Sequence, residues 1–386
     1  MIAGGQEMTI YDELGVKPII SAGGTLTMLG GSLMPPEVTD AMAQASRQFV
    51  PMEELHIAAG KRIAELCRVE AAHVCACASA GISLMAAACI TGGDRDKIRQ
   101  LPDTAGLKNK FIIQSAHRNG FDRALCVAGG RLVEIKGADA EALEAAINAE
   151  TAGIYYTHAW FCTGEALPLP QVAEIAHRHG LPLIADVAAE VPPVENLWRY
   201  FNEGADAYTL SGGKAIRGPQ STGLILGKKE LVEACRLNDC PHGGIGRGMK
   251  TGKEEICALV KAVDLYVHKD FRAEMAVWEA RVARVIEAMS AIQHVRAWRE
   301  FPYGDGQLIP HASITWDEAA LGITHAEAVK ALLDGQPRIA VQFINPQVYG
   351  FGGYQSKELR VHPSTLQEGE DVIVTERLKE VLTAKR

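Results

Sequence analysis

Two residues of this chain have the types and placement to do covalent chemistry. Lys214 closes the run Ala205-Asp-Ala-Tyr-Thr-Leu-Ser211-Gly-Gly-Lys214, 28 residues after Asp186 in Leu181-Pro-Leu-Ile-Ala-Asp186-Val-Ala-Ala. Each follows a short apolar run of the kind that forms a buried parallel strand, and stands where such a strand delivers its last side chain to a cleft. An amine and a carboxylate at neighbouring strand ends are what pyridoxal 5'-phosphate requires. The amine forms a Schiff base with the aldehyde, and the carboxylate keeps the pyridine nitrogen protonated so that the ring accepts electrons. Taken singly, a strand-end aspartate is a turn or helix cap, and a lysine after two glycines is a solvated loop residue. Together, with an anion cup upstream, they point to the cofactor.

That cup is Cys77-Ala-Ser79-Ala80-Gly81-Ile-Ser83, where a strand turns into a helix. Unpaired N–H groups at a helix start, with the helix dipole behind them, suit a dianionic phosphate. Small residues allow close approach, and Ser79 or Ser83 can add a hydroxyl; the alternative is an ordinary serine N-cap. His117 follows the apolar run Phe111–Gln114, placed either to stack on a cofactor ring or to cap a surface helix. Ala188, two residues past Asp186, is small enough to let the other ring face come close. Ser211, three residues before Lys214, can donate to the phosphate or orient the amine. Thr222 and the turn Gly218-Pro219-Gln220 suit either the phosphate or a subunit contact.

Two further segments carry cationic candidates. Arg360, in Leu359-Arg360-Val361-His362-Pro363, is either an edge-strand arginine or a planar fork for a substrate carboxylate. Gly244-Ile-Gly246-Arg247-Gly248-Met-Lys250-Thr-Gly252-Lys253 superficially suggests a dinucleotide-binding loop, but no strand precedes it and its last glycine is misplaced. It reads better as an anion-binding loop, with Arg247, Lys250 and Lys253 supplying charge. The alternative is a solvated loop.

The elements that must hold these residues alternate in type. From His73 onward, strands at His73–Cys77, Phe111–Gln114, Leu132–Ile135, Gly153–Thr157, Leu183–Asp186, Ala207–Leu210 and Gly223–Leu226 are interleaved with helices at Ile82–Thr91, Asn119–Val127, Ala140–Ala149 and Gln171–His179. This order predicts an α/β fold with a mostly parallel sheet covered on both faces. Lys253 to about Met289 reads as one long helical stretch, and the remaining strands and helices as a small α+β layer. The expected organisation is an N-terminal arm and glycine-rich lead-in (1–30), a large cofactor domain (31–270) and a small C-terminal domain (271–386).

The whole chain excludes several classes. It has 386 residues, 47% of them hydrophobic, and a net charge of −8 without a compensating basic block, which argues against nucleic acid. No apolar run reaches the length of a membrane span, no secretory signal is recognisable, and nine cysteines mostly in apolar contexts fit the cytosol. His73-Val-Cys75-Ala-Cys77 would crowd three side chains on one strand face with no second ligand pair, so no metal is expected.

The cup Ala76–Gly81, Asp186 with its Ala-Ala tail, Ser211-Gly-Gly-Lys214-Ala-Ile-Arg-Gly-Pro219-Gln220, the loop Gly246–Lys253 and the lead-in Ile20-Ser-Ala-Gly-Gly-Thr25-Leu-Thr27-Met-Leu-Gly30 have a shared likeness. Together they resemble the selenocysteine-synthase-like branch of fold-type-I (aspartate-aminotransferase-like) pyridoxal-phosphate enzymes, and within it the D-glucosaminate-6-phosphate ammonia-lyase family. The resemblance covers roughly residues 10 to 385. It implies Lys214 as the Schiff-base lysine, Asp186 as the pyridinium partner, the Ser79–Gly81 turn as phosphate cup, and a homodimer or larger homo-oligomer with active sites between subunits. It further implies α,β-elimination from a β-hydroxy amino acid to a 2-keto acid and ammonia. Racemisation, retro-aldol cleavage and β-replacement would use the same residues. A non-catalytic cofactor-binding regulator is a reading against which intact Lys214 and Asp186 both speak. Selenocysteine synthase proper carries an N-terminal region for tRNA, whereas little precedes Tyr11 here, so no tRNA partner is expected.

Overall fold

The computed structural model describes residues 8–162, 164–301, 307–344 and 357–384. They form two compact units. The larger comprises residues 25–271 with 307–308, and the smaller comprises residues 8–24, 272–301, 309–344 and 357–384.

The first strand of the chain, β1 (Ile20–Ala22), belongs to the smaller unit. The larger unit is built on a seven-stranded sheet of β2 (Ala71–Cys75), β3 (Lys110–Gln114), β4 (Arg131–Ile135), β5 (Thr151–Thr157), β6 (Leu183–Asp186), β7 (Ala207–Ser211) and β8 (Gly223–Gly227), in the order β2-β8-β7-β6-β5-β3-β4. Strands β4, β3, β5, β6 and β7 pair in parallel, while β8 runs antiparallel to both β7 and β2. The central strands read as uninterrupted apolar runs because both faces are covered, and every residue of β6 and β8 is buried. Two apolar clusters flank the sheet. One includes Ile63, Leu183, Ala185, Leu210 and Leu259; the other includes Met85, Ile113, Ile184 and Ile225. Alternate residues of β6 thus supply opposite layers, as the strand period requires.

Two expected helices take a different form. The segment 119–127 is helical only at Ala124–Val127. Asn119 Oδ1 accepts from the Phe121 N–H (2.7 Å), and Asp122 accepts from the Asn119 N–H (3.1 Å) and from Arg118 Nε (2.6 Å). Side chains thus satisfy the backbone that a helix would have used. The long stretch from Lys253 divides into Lys253–Val267 and Phe271–Ser290. At the break the His268 ring Nδ1 lies 2.8 Å from the Asp264 carbonyl oxygen, and Phe271 packs edge-on to Tyr266.

In the smaller unit, β1 pairs in parallel with β11 (Ile339–Ile344), so the lead-in contributes a strand. Beyond it lie β12 (Glu358–Val361), β10 (His311–Trp316) and β9 (Val295–Glu300), all antiparallel. Val285, Ile314, Leu332, Leu359 and Leu378 lie in its core.

Candidate active site

Asp186 is the last residue of β6, in register with Thr209 of β7, and Lys214 follows the end of β7 by three residues. Ala188 ties the two strand ends together. Its N–H donates to Asp186 Oδ1 (3.1 Å), and its carbonyl accepts from the Ser211 N–H (3.1 Å). The lysine turn then folds back on itself. The Gly212 N–H donates to the Thr222 carbonyl (2.9 Å), the Gly218 N–H to the Gly212 carbonyl (2.8 Å), and Thr222 Oγ1 to the Pro219 carbonyl (2.6 Å). A Cβ on Gly213 would lie 2.5 Å from Gln220 Cα, so no larger residue fits before the lysine.

The lead-in segment braces this turn. Gly31 approaches so closely that a Cβ there would lie 2.5 Å from the Gly213 carbonyl oxygen, and Ser32 Oγ donates to the same oxygen (3.0 Å). Gln220 Nε2 donates to the Thr27 carbonyl (2.7 Å). Thr222 and Gln220 therefore serve the turn's own geometry.

The cup meets the same strands. The helix Ala78–Thr91 is capped by Cys77, whose sulfur accepts from the Ala80 N–H (3.3 Å), and the Gly81 N–H donates to the Cys77 carbonyl. The Ala78 and Ser79 N–H groups, at the first turn, have no intrahelical acceptor. Gly81 packs directly on Thr209: any Cβ would collide with its hydroxyl. Thr209 thus touches the cup on one side and pairs with Asp186 on the other. Ser79 is exposed, whereas Ser83 donates its hydroxyl to the Ala124 carbonyl (2.7 Å), which commits it to holding a neighbouring turn.

His117 is buried just past β3, with its ring edge-on to Tyr156 at 4.2 Å. Burial, reinforced by His158, pushes its pKa down to about 4, so the imidazole is neutral at physiological pH. Burial raises Asp186 to about 6, opposed by the Ala188 N–H and the Lys214 charge. Lys214 is lowered by burial, with the carboxyls of Asp186 and Glu190 opposing.

These residues fit pyridoxal phosphate. The cup offers amides without intrahelical acceptors, and Thr209 Oγ1 and His117 Nδ1 are buried without a partner among the described residues. Lys214 forms no salt bridge there despite two nearby carboxyls.

Other elements carry the remaining candidates. Arg247 and Lys250 are exposed, in a loop fixed by the Gly246 N–H donating to the Asn238 carbonyl (2.9 Å). Arg360 belongs to the smaller unit, where its guanidinium meets Glu300 at 2.5 Å and Glu358 at 3.6 Å. His73, the start of the motif set aside as a metal site, pairs with Asp239 (2.8 Å). Glu190 escaped the sequence reading; its signal is a second carboxylate four residues beyond Asp186, after the Ala-Ala pair.

Residues 131–245 match the family model described as aminotransferase class-V. The chain is 33% identical to the D-glucosaminate-6-phosphate ammonia lyase of Salmonella typhimurium, over 96% of this chain and 97% of that protein. The solved structure of a D-glucosaminate-6-phosphate ammonia-lyase matches with a TM-score of 0.83 and 32% identity, covering 98% of this chain and 99% of that one. The chain belongs to this ammonia-lyase family. It therefore has the fold-type-I architecture and uses pyridoxal 5'-phosphate, as an enzyme of the lyase type. It is also 32% identical to a 5'-C-glycyluridine monooxygenase-decarboxylase of Streptomyces sp, over 96% of this chain and 92% of that protein.

Proposed function

We propose that the protein eliminates water from a phosphorylated 2-amino sugar acid of the D-glucosaminate 6-phosphate kind, giving a 2-keto acid and ammonia. The single observation that carries this reading is the tying through Ala188 of the strand ends at Asp186 and Ser211, the latter three residues before Lys214, with the cup reached through Thr209. When bound, the cofactor supplies the electron sink for the charge left at the α-carbon.

In this reading Ser79, Ala80 and Gly81 hold the cofactor phosphate, while Ser211 orients the lysine. His117, neutral and flat, and Ala188, small, would pack on the two ring faces. Asp186 keeps a proton on the pyridine nitrogen; that cationic partner would hold its carboxyl ionised against the burial that raises it. Lys214, freed by the substrate amine, takes the α-proton, and burial lowers its proton affinity in the direction that a base requires. Arg360 would grip the substrate carboxylate by exchanging it for Glu300.

Arg247 and Lys250, exposed on one protomer, suit an anionic group at a neighbour's site, so the working form is a homodimer or larger homo-oligomer. A monomer by light scattering would overturn that part. Nine cysteines, all free, support a reducing cytosolic setting, and the charge of −8 supports small-molecule partners over nucleic acid. Among the described residues no helix is long and apolar enough to cross a membrane.

The test is to incubate the loaded enzyme with D-glucosaminate 6-phosphate, its unphosphorylated form and serine. Equimolar keto acid and ammonia, with the phosphorylated acid preferred, is the expected result. Carbon dioxide without ammonia, or no product from any of the three, would overturn it.

A further inference from the structure

Glu190 is a buried acid, one of whose side-chain oxygens has no hydrogen-bond partner among the described residues. It lies in the turn after Asp186, its N–H donating to the Val187 carbonyl (3.2 Å) and its carbonyl accepting from the Asn196 side-chain amide. The backbone is thus held from both sides. Its Oε2 is sealed from solvent without a hydrogen-bond partner among the described residues, in a residue 1% exposed. Leaving such a group buried and unpaired works against stability.

The ionisable groups that act on it, or feel it, come from four segments. They are Asp186 beside it, Lys214 after β7, Arg199 and Tyr200 on the helix Asn196–Asn202, and Cys162 after β5. Arg199 is engaged by Glu203 at 2.6 Å. Two carboxyls therefore act on one lysine, and the lyase reading gives Asp186 to the pyridine nitrogen. The second carboxyl stands beside the base with a free oxygen.

We propose that Glu190 is a further catalytic residue, the acid that protonates the departing β-hydroxyl. This inference rests on the lyase reading above. The α-hydrogen leaves as a proton to Lys214, and its electron pair becomes the second bond between the α- and β-carbons. The β-carbon–oxygen bond breaks with its pair on oxygen, which takes the Glu190 proton and departs as water. The Lys214 ammonium then returns a proton to Glu190, and both groups are restored. Burial pushes Glu190 up to about 8, with Asp186 adding to the rise and the Lys214 charge opposing it. The acid is therefore armed below about pH 8 and disarmed as pH rises through that value. The lysine is moved the other way, which brings the two proton affinities together as an acid–base pair needs.

The test uses loaded Glu190→Gln enzyme, in which the amide keeps the shape and neutrality of the protonated acid. In deuterium oxide, exchange of the substrate α-hydrogen should persist while keto acid release falls on the order of 100-fold. The alkaline loss of turnover near pH 8 should vanish with it, and Glu190→Asp should restore part of the release. Without any substrate, the wild-type cofactor absorbance should show a step near pH 8 that Glu190→Gln lacks. Wild-type release by Glu190→Gln, or exchange and release falling together, would overturn the proposal. If wild-type enzyme releases no keto acid, the lyase reading fails, and a step near pH 8 that survives in Glu190→Gln would then overturn the assignment of Glu190 by itself.

Discussion

The larger unit buries two clusters of ionisable side chains, and they are built on opposite plans. Around β2, His73 Nε2 lies 2.8 Å from Asp239 Oδ2, Asp239 Oδ1 accepts from the Cys240 N–H (2.7 Å), and Arg236 reaches both Glu53 and His242. At the ends of β6 and β7, Asp186, Glu190 and Lys214 influence one another's charge without a salt bridge among the described residues. The first cluster closes its charge pairs, even though His73 Nδ1 and Glu53 Oε2 are buried without a hydrogen-bond partner among the described residues. The second holds opposite charges apart. A fold keeps opposite charges apart where a bound group completes the set, and this supports the proposal that the second cluster is the site.

Removing the lysine should break the comparison most completely. Lys214→Ala should carry no cofactor that borohydride can fix to the chain, as read by mass spectrometry of the reduced protein, and should show no turnover. A cofactor fixed to another lysine would refute the assignment. Asp186→Asn should retain the cofactor yet lose turnover on the order of 100-fold, because an amide cannot hold the pyridine proton. Its stability should not fall. Asp186 has a pKa raised in the fold to about 6, so the stability it lends is present at acid pH and lost as pH rises through that value. Thermal melts of the cofactor-free proteins at pH 7.5, roughly one and a half units above that pKa, should therefore show the Asn variant no less stable than wild type.

His73→Ala should give the reverse pattern. It leaves the Asp239 carboxyl buried without its partner, a defect worth about 3 kcal/mol, while turnover per loaded site stays at the wild-type value. Urea unfolding and cofactor-normalised rates would check the two halves separately. A His73→Ala enzyme that keeps its stability but loses turnover would mean the closed cluster also serves catalysis.

How much of this was legible in the sequence follows from where the information lies. The strand ends at Asp186 and Ser211 stood out because a doubly covered parallel strand is written as a continuous apolar run. The Gly-Gly before Lys214 marks a turn that a Cβ would obstruct. Glu190 was not legible, since nothing in Ala-Ala-Glu-Val says that its carboxyl is sealed and unpaired. The break at His268 carries neither glycine nor proline, being made by a histidine ring on a carbonyl and by Phe271 turning onto Tyr266. Arg360 was visible as a cation, but Glu300, 60 residues earlier, came beside it only through the pairing of β9, β10 and β12. Local chemistry was readable; partnership across the fold was not.

The smallest expected effect concerns the brace beneath the lysine turn, and two glycines separate its parts. Gly31 has φ +77° and a would-be Cβ 2.5 Å from the Gly213 carbonyl oxygen, whereas Gly15 has φ +67° with nothing within 4 Å. An alanine at either position suffers the left-handed penalty of about 1 kcal/mol. Only at Gly31 must a backbone carbonyl next to Lys214 also move, and Ser32 is bonded to that same oxygen. Gly15→Ala should therefore lower stability by about 1 kcal/mol and leave cofactor affinity alone. Gly31→Ala should lose about 2 kcal/mol or more and, if Lys214 attaches the cofactor as proposed, bind it several-fold more weakly. Paired melts and cofactor titrations of the two variants decide the matter. Equal cofactor affinity in both would show that the lead-in segment packs against the turn without positioning it.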